Sequence, residues 1–319
     1  MKHRQRLPQL DGGLFLTDGG LETTLIFHAG LDLPAFAAFP LLEDAAGRKA
    51  LRAYYEPYGE LAREHAVGLV LESPTWRASP RWAAELGYSE SGLDRLNRQA
   101  IELMEELRDE YESEDVPVVI SGCVGPQDDG YDPQERLSAA AAQDYHASQI
   151  ATFSETAADM VTAITMTYAD EAVGLTRAAM SVGMPVAISF TVETDGRLPS
   201  GQGLGEAVEQ VDRQTDNGPA YYMLNCAHPT HFERVLDTGE PWLERIRGLR
   251  ANASTKSHAE LDEATELDEG DPVDLGPRYA EIGTKLPRLN VLGGCCGTDQ
   301  RHVGEICRAW PAGSAAGAG

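Results

Sequence analysis

Positive charge is scarce in this chain. Lysine occurs only at Lys2, Lys49, Lys256 and Lys285, and Lys and Arg together reach 26 against 51 Asp and Glu. The resulting formal charge of −25 argues against a nucleic-acid partner, because a phosphate backbone is bound through Lys and Arg. It argues equally against docking on an anionic membrane surface. Long apolar runs are missing too. No segment approaches the ~20 residues of a membrane span, and the opening MKHRQRLPQLDGGLFL has no apolar core of signal-peptide length. Cysteine numbers five, odd and few for 319 residues, which excludes the disulfide framework of a small secreted protein. The expectation is a cytoplasmic protein. Acid excess with so little lysine resembles proteins of salt-rich cytoplasm, where self-repulsion is screened within about 3 Å at 1 M salt. An ordinary acidic enzyme encoded by Arg-favouring codons would show the same balance.

What is present is a core: 42% of residues are hydrophobic. The length fits two ordinary domains or one large barrel. Eight short, β-branched apolar runs decide between them: Leu14–Thr17, Val67–Glu72, Val116–Ser121, Met160–Thr165, Pro185–Thr191, Ala220–Asn225, Gly248–Ala251 and Asn290–Gly293. Runs without polar alternation are what strands buried on both faces look like. Helical patterns separate them. Ala45–Ala66 repeats apolar residues at three-to-four spacing with Pro57 as an expected kink, and Arg81–Glu112 reads as two helices split near Gly87. Pro133–Ala158 opens with Asp132 as its cap, and Thr298–Trp310 opens with a Thr cap. The pattern predicts an α/β protein, a single (β/α)8 TIM-type barrel spanning 1–319, with its core at about 14–310 and a flexible tail at 311–319. The stretch Ser254–Asp274 reads as an acidic insertion after strand seven. Its charge, and the His258 and Lys256 within it, are expected on the surface.

In such a barrel the active site lies at the C-terminal strand ends. This chain places DGGLET at 18–23, SPT at 73–75, CVGP at 123–126, TVETDG at 191–196, NCAHP at 225–229 and GGCCGT at 293–298 there. Cys226 ends strand six, and Cys295 and Cys296 end strand eight, so three thiols converge on the barrel mouth. Thiolates favour Zn²⁺, and three protein ligands leave one position open for chemistry. Gly293, Gly294 and Gly297 are expected to let two successive cysteines face one ion. Cys123 reads as a small core or pocket residue and Cys307 as buried filler. His228 is expected to be polar support. Ser73, Thr75 and Trp76 either line the pocket or pack its loop, and PSGQGLG at 199–205 reads as a turn.

NC followed some 70 residues later by GGCCGT, with DGG after the first strand, resembles the homocysteine S-methyltransferase family over nearly the whole chain, from about Leu14 to Trp310. The resemblance implies a zinc-dependent (β/α)8 barrel with Zn²⁺ at Cys226, Cys295 and Cys296. It further implies that Asp18, Gly19 and Gly20 bind the amino-acid part of the substrate and that Asn225 supports the site. The expected activity is methyl transfer from a small donor, S-methylmethionine or S-adenosylmethionine, to the thiol of homocysteine or a relative, giving methionine or another thioether. The chain has no room for folate or cobalamin modules, although a methylated cofactor on a separate protein stays open. A zinc-barrel hydrolase and a non-catalytic thiol- or zinc-binding protein are the alternatives, and no oligomeric state follows.

One departure matters. The family's fourth strand ends in a Glu that contacts the substrate amino group, and Ile164 stands there in this chain. A buried ammonium needs a negative partner. Glu22, after DGG, and Glu193, in TVETDG, are therefore the expected replacements; Glu22 would alternatively cap a helix start.

Overall fold

Each of the eight apolar runs becomes a strand. In the computed structural model, which describes residues 2–131 and 133–311, these are β1 (Phe15–Leu16), β2 (Gly68–Glu72), β3 (Val118–Val124), β4 (Met160–Met166), β5 (Val186–Phe190), β6 (Tyr221–Asn225), β7 (Ile246–Ala251) and β8 (Val291–Gly294). They pair in parallel in sequence order, and Phe15 opposite Val291 closes the barrel. Nearly every strand residue is buried, as their unbroken apolar composition requires. The lower half of the barrel is packed by Phe15, Val70, Val119, Met160, Tyr221 and Val291. Leu7 joins that cluster from below.

The connections are helical: α1 (Leu21–Thr23), α2 (Ala45–His65), α3 (Pro80–Glu85), α4 (Glu90–Tyr111), α5 (Ala139–Ser154), α6 (Ala169–Ser181), α7 (Leu204–Thr215), α8 (Pro229–Phe232), α9 (His258–Asp262), α10 (Pro272–Lys285) and α11 (Gln300–Ala309). Helix α2 buries Leu51, Tyr54, Tyr55 and Tyr58 on one face and is capped by Asp44, whose side chain accepts from Gly47 N–H. Pro57 lies inside α2 without ending it. None of the helices described is long and apolar enough to cross a membrane.

Two helix starts differ from expectation. Helix α5 begins at Ala139 under Ser138, because Asp128 takes the N–H groups of Gln134 and Glu135 at 2.9 and 3.0 Å and folds that stretch into a loop. The expected cap, Asp132, lies outside the described residues. Helix α11 is capped by Asp299, not by Thr298. The Thr298 hydroxyl instead donates to Cys295 O at 2.7 Å and so braces the cysteine turn. Of the tail expected at 311–319, only Pro311 falls within the described residues.

Candidate active site

The barrel mouth holds a cavity of about 450 Å³ bounded by Asp18, Glu22, Glu72, Arg250 and the three cysteines Cys226, Cys295 and Cys296. Their sulfurs lie within 4.8 Å of one another. Cys226 and Cys295 are joined as a disulfide, with Cα atoms 5.5 Å apart, and Cys296 is free. The reduced protein therefore offers three thiol donors to one ion from one wall of the cavity. An all-sulfur set suits zinc, and three protein ligands would leave one position for a further donor.

Backbone geometry brings the cysteines there. Cys226 adopts φ +53° and Thr165 φ +67°, a region that costs a residue with a Cβ of order 1–3 kcal/mol. Asn225 holds Thr165. Its Oδ1 accepts from Thr165 N–H at 3.0 Å, and its Nδ2 donates to Thr165 Oγ1 at 2.8 Å and approaches Cys295 Sγ at 3.9 Å. Gly297 supplies the turn after the pair with φ +78°. Gly293 and Gly294 lie on β8 without positive φ, and their role is space for the side chains of Thr17 and Thr298. Asn225→Ala removes the clamp on strained Thr165 and the contact to Cys295. We expect it to cost about 2 kcal/mol of stability and to weaken zinc binding roughly 10- to 100-fold, read by thermal unfolding and chelator competition.

Around the cysteines sits a support that includes His258, expected on the surface, and Glu193, expected to bind substrate. His258 is buried, and its Nε2 contacts the Cys226 carbonyl at 2.7 Å. Its Nδ1 meets Glu193 Oε1 at 3.2 Å. Tyr131 stacks on the His258 ring at 4.0 Å and brings its hydroxyl to 3.6 Å from Cys296 Sγ. The acidic stretch is not simply solvated: Leu261, Asp262, Leu267 and Asp268 line the cavity. Its apolar members, dispersed among acids, gave no helical or strand period to reveal an inward face. Lys256 pairs with Asp268 and stays half-exposed.

Opposite the cysteines lies a set of buried charges. Asp18 is paired with Arg250 Nη2 at 2.7 Å and accepts from Tyr54 OH at 2.9 Å. Burial nevertheless pushes its carboxyl up, with Arg250 opposing. Arg250 also donates to Gly294 O at 3.0 Å and Gly19 O at 3.1 Å, tying β7, β8 and the DGG turn together. Gly20 approaches so closely that an added Cβ would stand 2.6 Å from Cys295 O. Burial pushes Glu22 up to about 7, against a bond from its own backbone.

The two carboxylates expected to replace the missing acid separate here. Glu22 lines the cavity, whereas Glu193 lies outside its lining and is engaged with His258. Ile164 lines the cavity, and its carbonyl accepts from Trp76 Nε1 at 3.2 Å. Ser73, Trp76 and Cys123 also line it, and Thr75 binds Cys123 O. His228 caps α8, and Cys307 is buried in α11. The residues 199–205 form the turn before α7. Glu72 and Arg250 escaped the sequence reading because each sits inside an apolar strand run. A lone charge in such a run was the available signal.

A family model described as homocysteine S-methyltransferase matches residues 15–310. Among solved structures, the metallated form of the Escherichia coli homocysteine methyltransferase MmuM superimposes with TM-score 0.73 at 16% identity, covering 96% of this chain and 99% of that one. Its oxidized form gives 0.73 at 19% identity, covering 95% and 97%. Identities this low show a shared fold. Among curated proteins there is no match.

Proposed function

Because the chain belongs to the homocysteine S-methyltransferase family, we propose that it methylates homocysteine or a close relative from a small cationic donor, S-methylmethionine or S-adenosylmethionine, with zinc held by Cys226, Cys295 and Cys296. The observation that carries this is the set of three sulfurs, within 4.8 Å, on the wall of a substrate-sized cavity. Bound zinc would supply Lewis acidity, lowering the acceptor thiol from its free pKa of about 8.5 so that it is a thiolate near neutral pH.

The chain's own residues do the remaining work. The Asp18–Gly19–Gly20 turn, fixed by Tyr54 and Arg250, presents close backbone to the amino-acid part of the acceptor. Glu22 offers a carboxylate to a substrate cation, and a cation there would draw its pKa back down. Trp76 and Tyr131, both on the lining, exclude water and hold the methyl group in line with the thiolate. The sulfur–methyl bond forms as the donor's own bond to methyl breaks, and the donor leaves neutral. No general base is needed. His258 acts by holding the Cys226 carbonyl, and Asn225 by fixing Thr165 beside Cys295.

The test is metal analysis of the reduced protein followed by mass spectrometry of thiols incubated with each donor. We expect one zinc per chain and zinc-dependent thioether formation that chelation stops. Hydrolysis without a thiol, or thiol binding without turnover, would overturn the reading.

A further inference from the structure

The floor of the cavity carries more negative charge than its protein partners neutralise. Asp18 and Glu72 both line it, and Arg250 is the cation beside them; Arg77, also on the lining, pairs with Asp129. That guanidinium is committed to Asp18 and to the carbonyls of Gly19 and Gly294. Glu72, the last residue of β2, is 3% exposed. The hydroxyls of Ser121 and Thr162 support it, yet its Oε2 is buried without a hydrogen-bond partner among the described residues. A buried carboxylate oxygen left open is costly unless a donor arrives. The four lysines of the chain include none that lines the cavity.

We propose that Glu72 anchors the α-ammonium of the acceptor thiol, making it the residue that selects an amino acid over a plain thiol. The inference rests on the methyltransferase reading above. A protonated amine fits the site because it brings both positive charge and N–H donors to one unpartnered carboxylate oxygen. A metal ion would require more oxygen ligands than this corner supplies. Ile164, on the same lining, offers an apolar wall to the acceptor's methylenes and no charge. Burial pushes Glu72 up to about 6, with Arg250, Ser121 and Thr162 pulling it back. It is therefore largely ionised above neutrality, ready to pair.

The experiment compares two thiols on the zinc-loaded protein by calorimetry. One is homocysteine; the other is 4-sulfanylbutanoate, which keeps thiol, chain and carboxylate but lacks the amine. Wild type is expected to prefer homocysteine. Glu72→Gln should weaken homocysteine binding roughly 100-fold while leaving 4-sulfanylbutanoate within about threefold. Zinc content should stay unchanged. Equal weakening of both thiols, or an undiminished preference for homocysteine, would overturn the assignment. So would a wild type that binds both thiols equally, a result that does not depend on the variant folding. Wild type that binds neither thiol overturns the methyltransferase reading itself, whereas wild type that methylates homocysteine beside a still-selective Glu72→Gln overturns only this proposal.

Discussion

Cys296→Ser should leave the protein folded but without zinc and without methyl transfer. Serine is nearly the same size, and the backbone at this position is fixed by neighbours, with its own carbonyl accepting from Ala253 N–H at 3.1 Å. What changes is the donor: a neutral hydroxyl is a poor ligand where a thiolate is required. Two remaining sulfurs cannot complete the set. Losing several kcal/mol of transition-state stabilisation from the metal corresponds to a fall of at least about 1,000-fold in kcat/KM. Metal analysis and kinetics on one preparation check both halves. Cys307→Ser is the control, since that thiol lies in α11 and contributes none of the clustered sulfurs; it should retain zinc and rate. A Cys296→Ser enzyme with full metal and rate would show that the third sulfur is not a ligand.

Arg250→Met should be the most destabilising single change at the site. The side chain is buried and pairs with Asp18 while bonding to two carbonyls. Removing it strands Asp18, with Glu72 and Glu22 nearby. Breaking a buried pair on one side costs about 3–5 kcal/mol. The deficit should depend on pH in a defined direction. Without the guanidinium, the raised pKa of Asp18 rises further, so folding takes up a proton between its unfolded and folded values. Stability then falls as pH rises through that interval. Denaturant melts should show a modest difference from wild type near pH 4.5 and a larger one at pH 8. A second change, Asp18→Asn, should recover part of the loss at pH 8. A pH-independent deficit would mean that packing, and not uncompensated charge, is what Arg250 provides.

The architecture was legible because parallel strands buried on both faces must be apolar throughout, and those runs stand out from amphipathic helices. The cysteine cluster was legible because Cys226 follows β6 and Cys295 and Cys296 follow β8, strand ends that a parallel barrel gathers at one mouth. What stayed hidden was whatever depends on long-range approach. Nothing local distinguishes His258 from another polar residue in an acidic stretch, yet the fold carries it to the Cys226 carbonyl. Tyr131 reaches Cys296 across 165 positions. Glu22 and Glu193 are both acids near strand ends, and only the path of the chain puts Glu22 on the cavity lining and Glu193 outside it. Thr298 looked like a cap but serves the cysteine turn, because Asp299 beside it also bonds Arg301 and His302.

The underside of the barrel sets the order in which the chain can finish folding. Lys2 and His3 give their backbone N–H groups to Asp159, and Arg4 caps the carbonyls of Ser154, Thr156 and Ala158. Gln9 meets Tyr221, and its carbonyl takes the amide of Asn290. During synthesis Gln9 must wait for a partner that emerges 281 positions later. Contacts of such separation are slow to form. Until they do, Phe15, Met160 and Tyr221 have an open lower face. The last of the eight strands to be made, β8, therefore completes both ends at once: it brings Asn290 to seal the floor and Cys295 and Cys296 to the mouth, so a chain stalled before it has neither a closed interior nor the cysteine cluster.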